Sequence, residues 1–327
     1  MFQRPPTLTE IWRAHARVHP YVMRTPLRRA AAFSEKFDAD IFLKLENWQP
    51  TGSFKVRGAF NLLAQLSPQE IARGLLAASA GNHGAAVSYA AQQLNLSNVH
   101  IFVPRTTPRA KVNKMKRFGA NLHEVGETYD DAHHAAVEYE RAHDATFVHA
   151  YDDARTVAGA GTCALEILQD AQDLDFVLVP VGGGGLISGI AVAIKQLAPR
   201  IRIVGIQPDA SPSLRDSLRD SVCYEEYTAA ETICDGLAGG IGKIVFDVAQ
   251  NKLIDEVIIV TERAVQKAVA SFARDEQTIV EGSGAVGLGA VAENPAMFKN
   301  KRVALVVSGA NMDAARLAQI LEGEMEQ

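Results

Sequence analysis

The sequence predicts an α/β protein built on parallel sheets, and two observations predict this class. Short runs of apolar and β-branched residues recur along the 327-residue chain, and longer stretches with helical periodicity separate them. The strand-like runs are apolar throughout, as in residues 176–181, and do not alternate with polar residues. Such runs are typical of parallel strands that helices cover on both faces.

Each predicted element has a place in the chain order. The first is a helix to about Val18, which Thr7-Leu8-Thr9-Glu10 begins as a capping box. The predicted strands are 41–45, 75–79, 99–103, 122–125, 146–149, 176–181, 201–207, 256–260 and 302–307. The predicted helices are 82–94, 108–118, 129–143, 154–168, 186–197, 262–274, 284–293 and 312–321. Residues 208–242, rich in Asp, Ser, Thr and Gly, are expected to form a long irregular excursion.

Composition narrows the functional classes. Apolar residues make up 47% of the chain and charged residues 22%, which is ordinary for a globular protein. The formal net charge is −5 and basic residues are interspersed with acidic ones, so nothing favours nucleic-acid binding. Cys163, Cys223 and Cys234 are far apart and odd in number, which fits reduced thiols. Residues 1–10 lack the apolar core of a signal peptide, and no apolar run is long enough to span a membrane. We therefore expect a cytoplasmic protein with no membrane partner.

A lysine in an apolar setting is the first candidate for chemistry. Lys55 lies between a predicted strand and a helical run, within Thr51-Gly52-Ser53-Phe54-Lys55-Val56-Arg57-Gly58-Ala59. Burial disfavours the ammonium form and lowers the pKa of a lysine. A neutral amine can then form a Schiff base with a carbonyl. A surface lysine at the start of a helix is the alternative, and the local sequence does not decide between the two.

Four consecutive glycines form the second candidate. Gly182, Gly183, Gly184 and Gly185 follow one predicted strand and precede a helix. A backbone without side chains can turn its N–H groups inward at the positive end of a helix, which favours a phosphate over a bare turn. A dinucleotide site is a competing interpretation. Against it, the nearest acidic residue, Asp209, lies in the irregular segment and does not end a strand.

Two more strand ends carry polar residues. The backbone amides and hydroxyl of Ser79-Ala80-Gly81-Asn82-His83-Gly84 could hold a carboxylate at a helix N-terminus. His83 could act as a base, although a histidine in a first helical turn is more often a packing or hydrogen-bonding residue. Ser308 follows the last strand, where a helix N-cap is the simpler interpretation. The other histidines lack ligand spacing with carboxylates, so no metal site is expected.

Together these motifs resemble the serine/threonine dehydratases, which are pyridoxal-phosphate enzymes of the tryptophan-synthase-β fold type and are related to serine racemase. The run Lys44-Leu45-Glu46-Asn47-Trp48-Gln49-Pro50-Thr51-Gly52-Ser53-Phe54-Lys55 is similar to the cofactor-lysine segment of that family. The similarity continues in order through residues 79–84, 182–189, 235–238, 281–285 and 308–311. It covers nearly the whole chain.

The resemblance implies a role for each candidate residue. Lys55 would bind pyridoxal 5'-phosphate covalently and would take the α-proton of the substrate. The other implied cofactor contacts are Phe54 on the ring, Asn82 at the ring hydroxyl, Gly182, Gly183, Gly184, Gly185 and Leu186 at the phosphate, Gly236 beside the cofactor, and Ser308 at the pyridine nitrogen. The implied substrate-carboxylate loop consists of Ser79, Ala80, Gly81 and His83.

The resemblance also implies the architecture of pyridoxal-phosphate fold type II. Two open twisted sheets covered by helices would belong to a large and a small domain, with the active site in the cleft between them. By similarity the small domain is one insertion, residues 74–151, and the large domain comprises residues 1–73 and 152–327. A homodimer or homotetramer is expected on the same basis.

The implied reaction is loss of water from a β-hydroxy amino acid, such as L-threonine or L-serine, to give a 2-keto acid and ammonia. Ser308 is neutral and does not compel protonation of the ring nitrogen, which favours loss of the hydroxyl over transamination. Ala80 stands where serine racemases carry a serine that acts as the second acid. Gln207 stands where they carry a metal-binding glutamate, and an amide is a poorer ligand for a hard cation. Racemization therefore ranks below dehydration.

Other functions stay open from the sequence. The substrate could be another β-hydroxy amino acid, such as phenylserine, 3-hydroxyaspartate or a compound of the hydroxyectoine pathway. The glycine loop by itself would suit a nucleotide-binding reductase. Lys55 by itself would suit a non-catalytic pyridoxal-phosphate carrier.

Overall fold

The structure is a computed structural model that describes residues 4–325. Its strands are β1 Leu27–Arg29, β2 Asp40–Lys44, β3 Leu75–Ala78, β4 Val99–Val103, β5 Asn121–Glu124, β6 Thr146–Phe147, β7 Phe176–Pro180, β8 Arg202–Pro208, β9 Glu256–Val260 and β10 Arg302–Val306. Its helices are α1 Leu8–Val18, α2 Ala31–Phe37, α3 Lys55–Leu63, α4 Pro68–Ala72, α5 Asn82–Gln93, α6 Arg109–Arg117, α7 Tyr129–His143, α8 Ala154–Asp170, α9 Gly185–Leu197, α10 Ser213–Asp220, α11 Lys243–Gln250, α12 Glu262–Asp275, α13 Gly282–Glu293, α14 Pro295–Phe298 and α15 Ala314–Met325.

The larger sheet has six strands in the order β1-β2-β10-β7-β8-β9. Only its edge strand β1 is antiparallel to its neighbour, and the other pairs are parallel. Successive side chains of β7 enter opposite layers: Val177 and Val179 pack with α8 and α9, while Phe176 and Leu178 pack with α12 and α13. Burial on both faces explains why this strand is apolar at every position.

The smaller sheet consists of four parallel strands in the order β5-β4-β3-β6. All four come from residues 75–147, a continuous part of the chain. Leu75 and Ala77 of β3 pack toward α3 and α5, whereas Leu76 and Ala78 pack toward α7. We refer to this sheet and its helices as the four-stranded unit.

Three neighbouring strands of the larger sheet deliver the predicted motifs to one edge. β10 lies between β2 and β7 and is parallel to both. The chain after β2 leads to Lys55, the chain after β10 begins with residues 307–311, and the glycine loop follows β7. Ligands in open α/β sheets bind outside the carboxyl ends of parallel strands. The topology therefore places all three motifs where a ligand would bind.

The predicted α/β class is confirmed, and each of the nine predicted strands is present with ends that differ by no more than two residues. The capping box of Thr7 and Glu10 is also present. The elements that were not predicted are β1, α2, α4, α10, α11 and α14. No helix in the described part of the chain is both long enough and apolar enough to cross a membrane.

Two sequence predictions about helices were wrong in detail. In both cases the helix begins where a side chain accepts hydrogen bonds from the N–H groups of its first turn. Residues 208–242 were expected to be irregular, yet they contain α10. The Gln207 side-chain oxygen accepts from the backbone N–H groups of Leu214 and Arg215, so a strand residue caps this helix. The last helix was expected from residue 312, but α15 begins at Ala314, because the Asp313 carboxylate accepts from the backbone N–H of Ala315.

Candidate active site

Lys55 is the first residue of α3, and its side chain is half-buried. Its Nζ donates to the carbonyl oxygen of Ala150 at 3.1 Å and lies 5.2 Å from the ring centroid of Phe54. Burial lowers the pKa of Lys55 to about 8, and the charge of Glu281 opposes this shift. Lys55 does begin a helix, as in the alternative interpretation, but its side chain is half-buried and its amine bonds to Ala150. A substantial neutral fraction of this amine exists near pH 8.

Backbone pairing joins the Lys55 loop to the end of β10. The N–H of Phe54 donates to the carbonyl oxygen of Ser308 at 3.0 Å, and Ser53 forms an antiparallel bridge with Gly309. Ser308 is buried, and its hydroxyl donates to the carbonyl oxygen of Ser283 over a long 3.4 Å. The expectation of a helix N-cap at Ser308 was wrong, since the next helix, α15, begins at Ala314.

The glycine loop leads from β7 into α9, which begins at Gly185. Gly184 has a φ of +87°, in the left-handed region that favours glycine, and a Cβ there would lie 2.3 Å from Val245. The Ser188 hydroxyl donates to the Gly184 carbonyl oxygen at 2.8 Å and fixes the first turn of α9. The side chain of Leu186 is buried in the core, so only its backbone is available to a ligand.

The other glycines of the loop are also closely packed. A Cβ on Gly183 would lie 2.4 Å from the ring of Tyr151, and a Cβ on Gly182 would lie 2.5 Å from the carbonyl oxygen of Gly236. The N–H of Gly236 donates to the Ser283 hydroxyl at 3.0 Å. The structure thus places Gly236 next to the loop. Packing requires these glycines whether or not an anion binds.

Residues 148–151 connect the separate motifs. The carbonyl oxygen of Val148 contacts His83 Nε2 at 2.7 Å, and that of Ala150 accepts from Lys55. The ring of Tyr151 lies against the glycine loop and makes an edge contact with His149, with ring centroids 4.7 Å apart. Burial lowers the pKa of His149 to about 4, so its ring is neutral. This segment holds the lysine, the histidine and the loop in one place.

The loop before α5 is half-buried from Ser79 to Asn82, and the Gly81 N–H donates to the Ser79 hydroxyl at 3.2 Å. Ala80 packs against the core of the four-stranded unit. Because the carbonyl oxygen of Val148 can only accept, His83 Nε2 carries the proton and Nδ1 is an acceptor. That Nδ1 is buried without a hydrogen-bond partner. Burial lowers the pKa of His83 to about 3, so its ring is neutral.

A buried cluster of four charged side chains anchors the start of α3. Arg57 donates to Glu46 at 2.7 and 2.8 Å and to Glu166 at 2.7 and 2.8 Å, and Lys44 also donates to Glu166. Each of the four is at most 2% exposed, and their formal charges cancel. Although burial opposes it, the Arg57 charge lowers the pKa of Glu46. Arg57, the member of the cluster that belongs to α3, lies two residues after Lys55 in the chain.

Sequence reasoning missed several polar residues around Asn82. Asn82 donates to Glu281 at 2.7 Å and accepts from Asn311 at 2.6 Å, and Lys114 donates to Asn311 at 2.9 Å. Glu281 and Asn311 fall within segments that resemble the family, and this resemblance could have indicated that they lie near the site. Nothing in the local sequence distinguishes Lys114 from the other basic residues of α6.

The position at which racemases carry a metal ligand is occupied by an internal amide. Gln207 is fully buried, and its nitrogen donates to the Ser213 hydroxyl at 3.2 Å while its oxygen caps α10. Within residues 4–325, no three His, Cys, Asp or Glu side chains lie close enough together to hold a metal ion.

Comparison with known proteins agrees with this geometry. Residues 18–309 match the family described as pyridoxal-phosphate dependent enzyme. The chain is 40% identical to an L-threonine ammonia-lyase of Thermotoga maritima over 316 residues, which is 96% of this chain and 78% of that protein. It is 36% identical to a catabolic L-threonine dehydratase of Staphylococcus aureus over 323 residues, 97% of this chain and 92% of that protein.

Solved structures agree as well. Maize serine racemase superimposes with a TM-score of 0.89 at 31% identity and covers 98% of both chains. The processed form of threonine deaminase isoform 2 from Solanum lycopersicum superimposes with a TM-score of 0.91 at 30% identity, over 100% of this chain and 92% of that one. The chain therefore belongs to the pyridoxal-phosphate-dependent enzymes, with the fold type II architecture that the resemblance implied.

The residues around Lys55 fit this cofactor. The desolvated amine suits a Schiff base, the glycine loop presents backbone without side chains, and His83 Nδ1 is a buried acceptor that still lacks a donor. The interpretation of the loop as a dinucleotide site, and with it a reductase, is abandoned.

Proposed function

We propose that this enzyme is a lyase that removes water from L-threonine, and from L-serine as a smaller substrate, to give a 2-keto acid and ammonia. The observation that carries the proposal is the partly neutral Lys55 amine, held at the carboxyl ends of β2, β10 and β7. Relatives named L-threonine ammonia-lyase or dehydratase, 34–40% identical over most of the chain, support the substrate class.

The proposed cofactor contacts are those that the resemblance implied. Lys55 would hold the cofactor, Phe54 would lie against its ring and Asn82 would donate to the ring hydroxyl oxygen. Ser308 would contact the ring nitrogen. Gly182 to Leu186 would bind the phosphate through backbone N–H groups, and Gly236 would lie beside the cofactor. When bound, pyridoxal phosphate supplies an electron sink for the electrons of the α C–H bond.

Substrate binding and proton transfer fall to the chain's own residues. The loop of Ser79, Ala80, Gly81 and His83 at the N-terminus of α5 would bind the substrate carboxylate through backbone N–H groups. The neutral Lys55 Nζ would accept the α-proton, for which a pKa of about 8 is well matched. The neutral His83 would orient this loop through its bond to Val148.

Two residues favour dehydration over the alternatives. Ala80 offers a methyl group packed against the core, so no hydroxyl at this position can return a proton to the opposite face of the α-carbon. Ser308 has a neutral hydroxyl with only a long internal hydrogen bond, 3.4 Å to Ser283. A neutral partner of the ring nitrogen favours prompt loss of the β-hydroxyl. Serine racemase thus remains the weaker alternative, although a serine racemase shares the fold at 31% identity.

Product analysis tests the proposal. The purified enzyme, loaded with pyridoxal phosphate, is incubated separately with L-threonine, L-serine, phenylserine and 3-hydroxyaspartate, and keto acid, ammonia and D-serine are measured. We expect 2-ketobutyrate and ammonia in equal amounts from L-threonine. Lys55→Ala should reduce the rate at least about a thousandfold, because covalent and acid–base roles vanish together. Lys36→Ala, at an exposed lysine, is the matched control.

Four outcomes would overturn parts of the proposal. A faster reaction with phenylserine or 3-hydroxyaspartate would reassign the substrate. D-serine formed as fast as pyruvate would make the enzyme a racemase. Full activity of Lys55→Ala, or a loaded enzyme without turnover of any tested amino acid, would reject the mechanism or the enzymatic role.

We propose further that residues 74–151 form a small domain inserted in a large one, and that two copies associate in the cytoplasm. The confinement of the smaller sheet to residues 75–147 supports the division. Met23, Trp48 and Ile279 are 45–55% exposed. They lie together because the side chains that flank Trp48 donate to the backbone of the other two: Asn47 to the Ile279 carbonyl oxygen and Gln49 to the Met23 carbonyl oxygen. Such an apolar patch suits a second copy. A monomeric mass in sedimentation at micromolar concentration would count against association.

A further inference from the structure

A row of hydrogen bonds crosses from the four-stranded unit to the end of β10. Lys114 Nζ on α6 donates to the Thr51 carbonyl oxygen at 2.8 Å and to Asn311 Oδ1 at 2.9 Å. Asn311 Nδ2 donates to Asn82 Oδ1 at 2.6 Å and to the Thr51 carbonyl oxygen at 2.9 Å. Asn82 Nδ2 donates to Glu281 Oε1 at 2.7 Å. The backbone N–H of Asn311 donates to Glu281 Oε2 at 3.0 Å. We call Lys114, Asn311, Asn82 and Glu281 the amide relay.

Lys114, Glu281 and the Thr51 carbonyl together determine the direction of both amides, because that carbonyl oxygen accepts from Asn311 Nδ2 and requires the nitrogen there. An ammonium can only donate and a carboxylate can only accept, whereas an amide can do either on rotation by 180°. Lys114 therefore requires the Asn311 oxygen on its side, which turns the Asn311 nitrogen toward Asn82. Glu281 requires the nitrogen of Asn82, which leaves the Asn82 oxygen for Asn311. The two requirements agree, and every link has a donor facing an acceptor.

Hydrogen bonds, and not packing alone, must hold these amides. A cavity of about 150 Å³ borders the relay and is lined by Asn82, Lys114 and Asn311, among other residues. Side chains next to open space retain rotational freedom unless polar contacts remove it. Burial raises the pKa of Glu281, while the bonds from Asn82 and the Asn311 backbone favour its charged form.

We propose that Lys114, Asn311 and Glu281 are positioning residues that fix Asn82 with its nitrogen as the donor available to the cofactor. The inference rests on the proposed contact between Asn82 and the ring hydroxyl oxygen. One hydrogen of Asn82 Nδ2 goes to Glu281, and the second remains for that oxygen. Because Lys114 belongs to the four-stranded unit and Asn311 follows β10, the orientation of Asn82 depends on both parts of the chain.

Binding of pyridoxal phosphate to the apoprotein tests the relay without any turnover. The dissociation constant is measured by fluorescence titration for the wild type, Lys114→Met, Asn311→Asp and Asn82→Ala. The double variant Lys114→Met/Asn82→Ala completes the set. Lys116→Met is the control, because Lys116 lies on the same helix but is exposed and paired with Glu124. Thermal unfolding of each apoprotein, measured in parallel, verifies that the variants fold.

We expect Lys114→Met to weaken binding about three- to tenfold, the effect of one net hydrogen bond, and Lys116→Met to have no effect. Lys114→Met should have no further effect in the Asn82→Ala background, since it acts through Asn82. Asn311→Asp keeps the size of the side chain and gains an ion pair with Lys114, but it turns an acceptor toward the Asn82 oxygen. It should therefore weaken binding. Because the carboxylate also loses the bond to the Thr51 carbonyl oxygen, the variant is compared only where thermal unfolding shows that its apoprotein is folded.

Failure of the relay and failure of the proposed function give different results. Wild-type affinity in both Lys114→Met and Asn311→Asp, with Asn82→Ala weakened, would overturn the relay alone. Effects of Lys114→Met and Asn82→Ala that multiply would also overturn it, since the two residues would then act independently. Wild-type affinity in Asn82→Ala would instead contradict the proposed cofactor contact on which the relay rests.

Discussion

Replacement of Arg57 by methionine tests how the reactive lysine is held in place. Arg57 occupies the second position after Lys55 in α3 and makes four hydrogen bonds to Glu46 and Glu166, all between 2.7 and 2.8 Å. It is fully buried, and it also donates to the Thr162 hydroxyl at 3.1 Å. Methionine preserves most of the unbranched stem and removes the charge and all of these donors.

The expected cost follows from the charges that remain. Lys44 and Arg57 balance Glu46 and Glu166 in the native cluster, so Arg57→Met leaves one buried negative charge without compensation. Breaking a buried ion pair in this way costs about 3–5 kcal/mol of unfolding free energy. The double variant Arg57→Met/Glu46→Gln leaves Lys44 paired with Glu166, and it should be more stable than Arg57→Met alone.

The assay is urea unfolding of the apoproteins, followed by circular dichroism and by tryptophan fluorescence, because bound cofactor would add its own stabilisation. Free energies are compared only where the two probes give one transition. Arg29→Met is the control, since Arg29 pairs with Asp40 at a site where both side chains are at least 40% exposed. An exposed pair contributes about 0–1 kcal/mol.

The pH dependence gives a second check with a definite sign. In the wild type the pKa of Glu46 is lowered, so its stabilisation is present above the ordinary carboxyl pKa and is lost as the pH falls. Without Arg57, burial alone should raise the carboxyl pKa, and the folded state gains by taking a proton. The deficit of Arg57→Met should therefore shrink from pH 8 to pH 5. A cost under about 1 kcal/mol, equal to that of Arg29→Met, would refute the reasoning.

Two further predictions concern the reactive amine and the helix packing beneath it. In the apoprotein, acetylation of Lys55, measured by mass spectrometry, should rise with pH around a midpoint near 8, because burial lowers its pKa. A midpoint near the ordinary lysine pKa of about 10.4 would contradict this. Gly189→Ala should cost about 1–3 kcal/mol in urea unfolding, because its Cβ would lie 2.4 Å from the Val157 carbonyl oxygen. Gly323→Ala, where a Cβ meets nothing within 4 Å, is the control, and equal stability of the two variants would show that the α8–α9 contact can relax.

The strands were predictable because their signal is local. β7 is buried on both faces, so every residue from Phe176 to Pro180 must be apolar, and this is visible in the sequence of the strand itself. α10 was not predictable for the opposite reason. The residue that caps it is Gln207 at the end of β8, and no local motif indicates that a strand amide will satisfy the first turn of the next helix.

The candidate site also has a part that local sequence could predict and a part that it could not. Lys55, the glycine loop and Ser308 follow three different strands. Each could be selected as a candidate from its own short segment of sequence, but only the family resemblance gave Lys55 and Ser308 their roles. Their convergence needs only the rule that parallel strands share a carboxyl edge. The bond from Lys114 to Asn311 joins residues 197 positions apart, and that from Asn82 to Glu281 joins residues 199 apart. Only the folded arrangement of both units specifies such contacts.

The surroundings of Lys55 keep its amine desolvated and also neutralise the buried carboxylates nearby. A reactive amine requires desolvation, which burial provides, and it lies at the first turn of α3, where the partial positive charge of the helix N-terminus also disfavours an ammonium. A close carboxylate would cancel both effects. The buried carboxylates Glu46 and Glu166 are instead committed to Arg57, whose guanidinium neutralises them. These two carboxylates therefore do not oppose the desolvation of the amine, and Glu281 does so only in part. The same helix carries Lys55 and is fixed by Arg57, which cannot move without leaving buried charges unpaired.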